Sequence, residues 1–313
     1  MRRVIVLGAV IAICAVSLAA VELQQGPPPE VPKVVEAQKI ADNLYVLTGP
    51  GGASKDTRDP SGGNVAAFIT TTGVVVVDAK NPGWGRPILE RIRTLTDKPV
   101  VMVIDTHTHG DHTSGQVEFP ANIDIVAQEY SNINMRKTAM PRDERMKIFE
   151  GENAKFLPKK TFKDRMSLGS GKDRIDLYYF GRGHTNGDAW VVFPALRAMH
   201  AGDMFAGKTI PNIDQNNDGS GVEFSATLSR AIAGIPNVDT IITGHSVVMK
   251  WSDLKEYAEY TKDLLATTQA AIKAGTSVDD AANAYKFPDK HKDYNFRYAT
   301  KQYMQWVYNE LRK

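Results

Sequence analysis

Apolar positions along this chain gather into short β-branched runs separated by glycine-rich turns, with few long stripes. Residues 42–47, 65–70 and 74–77 have this form and predict strands. Residues 49–63, rich in Gly, Asp and Pro, form a loop long enough to reach over a site. Residues 87–95 switch to helical spacing, and 100–104 return to a buried strand, so the order is that of an α/β protein. Further on, 124–127 predicts a strand and 129–137 a helix. The charged stretch 138–163 has no clean period and reads as a helical insertion over the surface. Strands are expected at 175–180, 189–193, 198–201 and 240–243. Leu254, Tyr257, Ala258, Thr261, Leu264 and Leu265 then keep i, i+3, i+4 spacing, with Gly275 as a stop. Tyr303, Trp306 and Val307 mark a final amphipathic helix, and both stripes read as core. No internal repeat is visible.

The polar chemistry sits where these runs end. Directly after 100–104 comes T-H-T-H-G-D-H-T, residues 106–113, which packs His107, His109, Asp111 and His112 into one loop. An extended chain would turn His107 and His109 to the same side, while adjacent Asp111 and His112 point apart. One metal cannot easily take all four, whereas two can. Asp78, His184, Asp203 and His245 also lie at or just beyond the C-terminal ends of predicted strands, the edge where layered α/β folds build sites. A polar surface loop is the plainer reading of 106–113, but clustered His and Asp at ligand spacing point to metal. His200, inside a strand, is expected to pack or to hydrogen-bond near the site, and His291, among Lys and Asp, to face solvent. Residues 214–219, D-Q-N-N-D-G, resemble the start of a calcium loop. Its twelfth position is Ser225, where a bidentate Glu belongs. The other reading is an Asx-rich turn rimming the pocket after Asp203.

Composition narrows the picture. The chain has 313 residues, 42% of them hydrophobic, enough for a large core in one or two domains. A net charge of +2 with mixed signs gives no nucleic-acid footprint, so the expected partner is a small neutral or weakly charged substrate. Met1-Arg2-Arg3 followed by apolar residues 4–21 predicts a secretory signal, cleaved near Ser17-Leu18-Ala19, and a periplasmic or secreted protein without stable membrane association. An uncleaved anchor is the alternative. Cys14 lies inside that segment, and the bulky Ile13 before it argues against lipidation. The mature chain then has no disulfide and no thiolate ligand, and every metal ligand must be His, Asp or Glu. Residues 24–32, with three consecutive prolines, form an extended spacer. The expected layout is a signal at 1–21, a Pro-rich linker at 22–33 and one domain at 34–313.

H-T-H-G-D-H, G-R-G-H-T, A-G-D-M-F and T-G-H-S, in that order across residues 40–251, resemble the metallo-β-lactamase superfamily. The resemblance implies an α/β fold, a four-layer αββα sandwich of two mixed β-sheets flanked by helices. It implies His107, His109 and His184 around one metal and Asp111, His112 and His245 around a second. Asp203 matches the bridging carboxylate of the glyoxalase II and lactonase branches, and Asp78 an aspartate that supports the site from behind. A carboxylate after a buried strand must in any case be paired or hydrogen-bonded, and holding the ligand loop would satisfy it.

Departures sharpen the match. True metallo-β-lactamases carry Cys or Ser at the position of Asp203, and most of their classes lack a histidine at that of His112. Glyoxalase II proper has an aromatic and basic region after its last histidine, which 246–257 lacks. Flavodiiron relatives carry Glu at the position of His109, so imidazole ligation there favours zinc, and the large extra domain or basic arm of the nuclease branch is not evident. The expectation is a glyoxalase II-like secreted hydrolase with two zinc ions per chain, about 3.5–4 Å apart, which acidify bound water. It would cleave an ester, thioester, lactone or amide, with Asp111 orienting the nucleophile and taking its proton. The alternatives are a β-lactamase and a metal-binding accessory protein of a periplasmic redox system.

Overall fold

The computed structural model describes residues 33–55, 59–137, 143–291, 294 and 299–312. The expected signal, and the linker up to residue 32, lie outside them. From Val34 onward the chain forms one unit built on two sheets. The first contains β1 (Glu36–Ala41), β2 (Leu44–Thr48), β3 (Val65–Ile69), β4 (Val74–Val77), β5 (Val100–Asp105), β6 (Asp124–Gln128) and β7 (Lys160–Phe162), in that spatial order. It is antiparallel from β1 to β4 and parallel from β4 to β7. The second contains β8 (Arg165–Leu168), β9 (Ile175–Tyr178), β10 (Trp190–Phe193), β11 (Ala198–His200), β12 (Thr240–Ile242) and β13 (Met249–Lys250). Only its β11–β12 pair is parallel.

Strand alternation explains the layering, because successive side chains leave opposite faces. On β4, Val75 and Val77 join Phe68, Ile104, Leu177, Val191, Phe193 and Ile242 in a core shared by both sheets. Val74 and Val76 face the other way, toward Ile88 and Ile92 of helix α1 (Gly85–Leu95). The outer face of the second sheet, with Trp190, Val192, Met199 and Ile241, is covered by α4 (Phe224–Gly234), α5 (Trp251–Lys273) and α7 (Thr300–Leu311). In chain order, α2 (Gly110–Thr113) and α3 (Glu129–Met135) precede these, and α6 (Val278–Ala284) stands between α5 and α7. Three cores between four layers make the αββα sandwich. Leu254, Tyr257, Ala258, Thr261, Leu264 and Leu265 are all buried on α5, as their spacing predicts.

Several expectations are corrected. The strand expected at 42–47 begins at Leu44, because Asp42-Asn43 turn the chain from β1, an edge strand too exposed to show an apolar run. Strands β7, β8 and β13 were not anticipated. Residues 143–163 are helical only in short 3-10 segments and do not lie over the surface. They run through two 3-10 turns, Glu144–Phe149 and Gly151–Phe156, into β7, and residues 138–142 lie outside the described ones. Met146, Phe149, Phe156 and Leu157 are buried there, in the core beneath α1. His291 is buried rather than solvent-facing, against Tyr260 and Tyr294, with Nδ1 3.3 Å from Glu256 Oε1.

Candidate metal centre

Strand β4 ends at Asp78, a non-glycine residue at φ 65°, which turns its carboxylate under the loop that follows β5. Such a conformation is costly for a residue with a side chain and persists only where its surroundings fix it. Asp78 Oδ1 accepts from Thr106 N (2.8 Å), and Oδ2 accepts from Thr106 Oγ1 (2.8 Å) and His112 Nδ1 (2.7 Å). One buried carboxylate thus holds both ends of the histidine loop.

These hydrogen bonds assign the ring tautomers. Thr106 Oγ1 spends its proton on Asp78 and accepts from His107 Nδ1 (3.0 Å). His109 Nε2 donates to Asp214 Oδ2 (2.6 Å), His184 Nδ1 to the Asn212 carbonyl (2.9 Å), and His112 Nδ1 to Asp78. Each outer nitrogen being a donor, each inner nitrogen of the neutral ring carries a lone pair. The inner atoms converge. His109 Nδ1 lies 3.2 Å from His107 Nε2 and 2.9 Å from His184 Nε2, and His112 Nε2 lies 3.0 Å from His245 Nε2. Lone pairs so aimed at one another repel unless a cation or proton sits among them. The donor set therefore fits metal ions.

The donors form overlapping groups, His107–His109–His184, Asp111–His112–His245 and His107–His112–Asp203, each with ligand atoms within 4.8 Å of one another. Asp203 lies between the first two. Its Oδ1 is 3.4 Å from His112 Nε2, and its Oδ2 is 3.3 Å from His245 Nε2 and 3.7 Å from His184 Nε2. Every residue read from the sequence as a candidate ligand thus enters one cluster, at the edge where strands of both sheets end. Burial works to raise the pKa of Asp203, but His245 and His112 hold it well below the carboxylate range. Burial brings His184 down to about 4, helped by neighbouring His109.

The second sheet delivers its donors singly. His184 comes from the β9–β10 connection, Asp203 from the turn after β11 and His245 from the loop after β12. Asn64, just before β3, ties them to the first sheet, donating through Nδ2 to the carbonyls of Thr243 (2.8 Å) and Ser246 (2.7 Å). His200 accepts from Gly202 N through Nδ1 (3.1 Å) and donates through Nε2 to the Asn64 carbonyl (3.0 Å). It therefore pins the turn that carries Asp203.

The loop expected to reach over the site does close on it. A Cβ at Gly63 would lie 2.2 Å from the His112 ring, so only glycine permits that approach. Beneath it, fully buried Lys80 donates to Asp59 Oδ2 (3.2 Å), Ser61 Oγ (2.8 Å) and the Gly63 carbonyl (2.9 Å).

Sequence reasoning missed Lys80 and two further residues. Asp214 was read as part of a calcium loop or an Asx turn. It is the turn, with Oδ1 accepting from Asn216 N (2.9 Å) and Oδ2 engaged by His109 and Asn217 Nδ2 (2.7 Å). Arg145, from the segment without periodicity, reaches Asp111 Oδ1 at 3.2 Å. The Asp214 turn showed a sequence signal, but nothing indicated which histidine it would meet.

Comparison with known proteins agrees with this geometry. The metallo-beta-lactamase type 2 of Elizabethkingia meningoseptica is 27% identical over 252 residues, covering 78% of this chain and 90% of that protein. That of Bacillus sp. (strain 170) is 24% identical over 218 residues, 68% of this chain and 77% of its own length. A solved metallo-beta-lactamase from Pontibacter korlensis matches with a TM-score of 0.58 at 19% identity, over 73% of this chain and 99% of the other, a likeness of fold alone. These named proteins are lactamases, whereas the motifs pointed to the glyoxalase II-like branch. Residues 58–245 match the family pattern across more than half the sequence, and the chain belongs to the metallo-β-lactamase superfamily.

Proposed function

We propose that this protein is a metal-dependent hydrolase that opens the amide bond of a β-lactam, using two zinc ions. The observation that carries the reading is the pair of donor groups joined by Asp203, with inner nitrogens aimed at shared points. The lactamase relatives support the amide substrate. Bound there, the ions would supply acidified water and polarisation of the scissile carbonyl. His107, His109 and His184 would hold one, Asp111, His112 and His245 the other, and Asp203 would face both.

The protein's own contribution is orientation and enclosure. His109 is the least enclosed of these histidines, with 14% of its side chain exposed, so substrate reaches the centre from its side. There Asn212, Asp214, Gln215, Asn216 and Trp306 line an open groove of about 360 Å³. Its amides and indole suit a small, flat, polar molecule. Lys208, Thr209, Ser246 and Met249 line a second recess of about 190 Å³, which includes the residue that follows His245.

A second reading, cleavage of an ester, thioester or lactone as in the glyoxalase II-like branch, is favoured by Asp203 and His112, which differ from the usual lactamase residues. We place the mature protein in the periplasm or outside the cell because residues 1–21 read as a secretory signal. The deciding experiment measures zinc content beside turnover of nitrocefin and of a panel of esters, thioesters and lactones. Nitrocefin turnover that chelation stops supports the β-lactam reading. Turnover confined to the acyl panel moves the second reading forward. Two bound zinc ions with no turnover at all would favour the accessory protein and end the hydrolase proposal.

A further inference from the structure

Arg145 stands where no sequence motif placed a functional residue, and all three nitrogens of its guanidinium are engaged. Nε and Nη2 grip Asp143 (Nε to Oδ1 2.8 Å, Nη2 to Oδ2 2.7 Å), Nη1 donates to Asn81 Oδ1 (3.0 Å), and Nη2 reaches Asp111 Oδ1 (3.2 Å). The same segment clasps the ligand-bearing turn from outside. Asp143 Oδ2 accepts from Gly110 N (2.9 Å), and the Arg145 carbonyl accepts from Ser114 Oγ (3.3 Å). A Cβ at residue 110 would lie 2.5 Å from that of Arg145, which explains a glycine between His109 and Asp111.

Asp111 therefore has two unlike oxygens. Oδ1 is tied to a cation outside the cluster, and Oδ2 lies 3.6 Å from His245 Nε2, inside it. We infer that Arg145 is a positioning residue that fixes Asp111 as a one-oxygen ligand for the metal shared with His112 and His245. With Oδ1 paired to Arg145, Asp111 is left Oδ2 with which to orient and bind. The inference rests on the metal reading proposed above.

The test is zinc titration of metal-free protein against a chromophoric chelator, comparing wild type with Arg145→Met and Arg145→Lys, beside urea unfolding of each metal-free form. Wild type should take two ions. Arg145→Met should keep one at unchanged affinity and bind the other about 10–100-fold more weakly, the usual cost of removing a group that orients a ligand. Arg145→Lys should recover most of that loss, because a cation remains opposite Oδ1. Unchanged affinity for both ions in Arg145→Met would sink the inference alone. Equal weakening at both ions together with lower metal-free stability would reduce Arg145 to a structural clasp. A wild type that takes up no zinc would overturn this inference and the hydrolase reading together.

Discussion

The two halves of the cluster are built in opposite ways. The first sheet contributes His107, His109, Asp111 and His112 from one continuous loop, held by Asp78 and backed by the Lys80–Asp59 pair. The second sheet contributes His184, Asp203 and His245 from three separate connections, held together by strand register and by Asn64 and His200. A contiguous half is fixed by buried charge, and a dispersed half by the accuracy of the sheet. Damage to the first should therefore appear in stability and metal affinity together. Damage to the second should appear mainly in how well the halves meet.

The largest expected effect is common to both halves: chelation should bring turnover to background, and added zinc should restore it. Next comes the contiguous half. Asp59→Asn leaves the buried Lys80 ammonium without its carboxylate and should cost about 3–5 kcal/mol in urea unfolding, most of it regained in Asp59→Asn/Lys80→Met. The pH profile follows the same pair. Burial works to raise the Asp59 pKa, but Lys80, Ser61 and the Gly49 amide hold it below its ordinary 3.8. Stability from this carboxylate is then fully present above about pH 4 and lost as pH falls through the lowered folded value. Asp59→Asn should flatten that acid limb, and an unchanged limb would remove Asp59 from the account.

Smaller effects separate the halves further. Asp78→Asn and Asp214→Asn should each weaken zinc binding by about 10–100-fold. The former should lower the metal-free unfolding midpoint more, since Asp78 is fully buried and holds both ends of the histidine loop, whereas Asp214 is partly exposed and holds one turn. Smallest is Asn64→Ala, which takes the Asn64 donor from the buried Thr243 carbonyl, while the Ser246 carbonyl keeps Thr243 Oγ1, and should cost about 1–3 kcal/mol. An equal stability loss in Asp78→Asn and Asp214→Asn would break the distinction.

The same contrast governs what could be read from the chain. The histidine loop was legible because its donors are neighbours in sequence at strand-end spacing. His184, Asp203 and His245 were legible because each ends an apolar run. Residues that act through space left no periodic signal. Asp214 meets His109 across 105 positions and Arg145 meets Asp111 across 34, and neither lies on a strand or a long helix. Strands β4, β5, β6, β9, β10 and β12 could be read because both their faces are largely buried. Edge strands β1 and β8 could not, because half-exposed positions carry little apolar pattern.

His112 and His245 are 133 positions apart, and their facing nitrogens stand 3.0 Å apart. An ion held by both would be a cross-link, closing a large loop in a protein whose only cysteine is Cys14. Because such an ion is bound only by the folded state, it adds stability in proportion to the logarithm of its concentration once that exceeds the dissociation constant. Zinc supply would then set the lifetime of the fold as well as the rate of any reaction it performs.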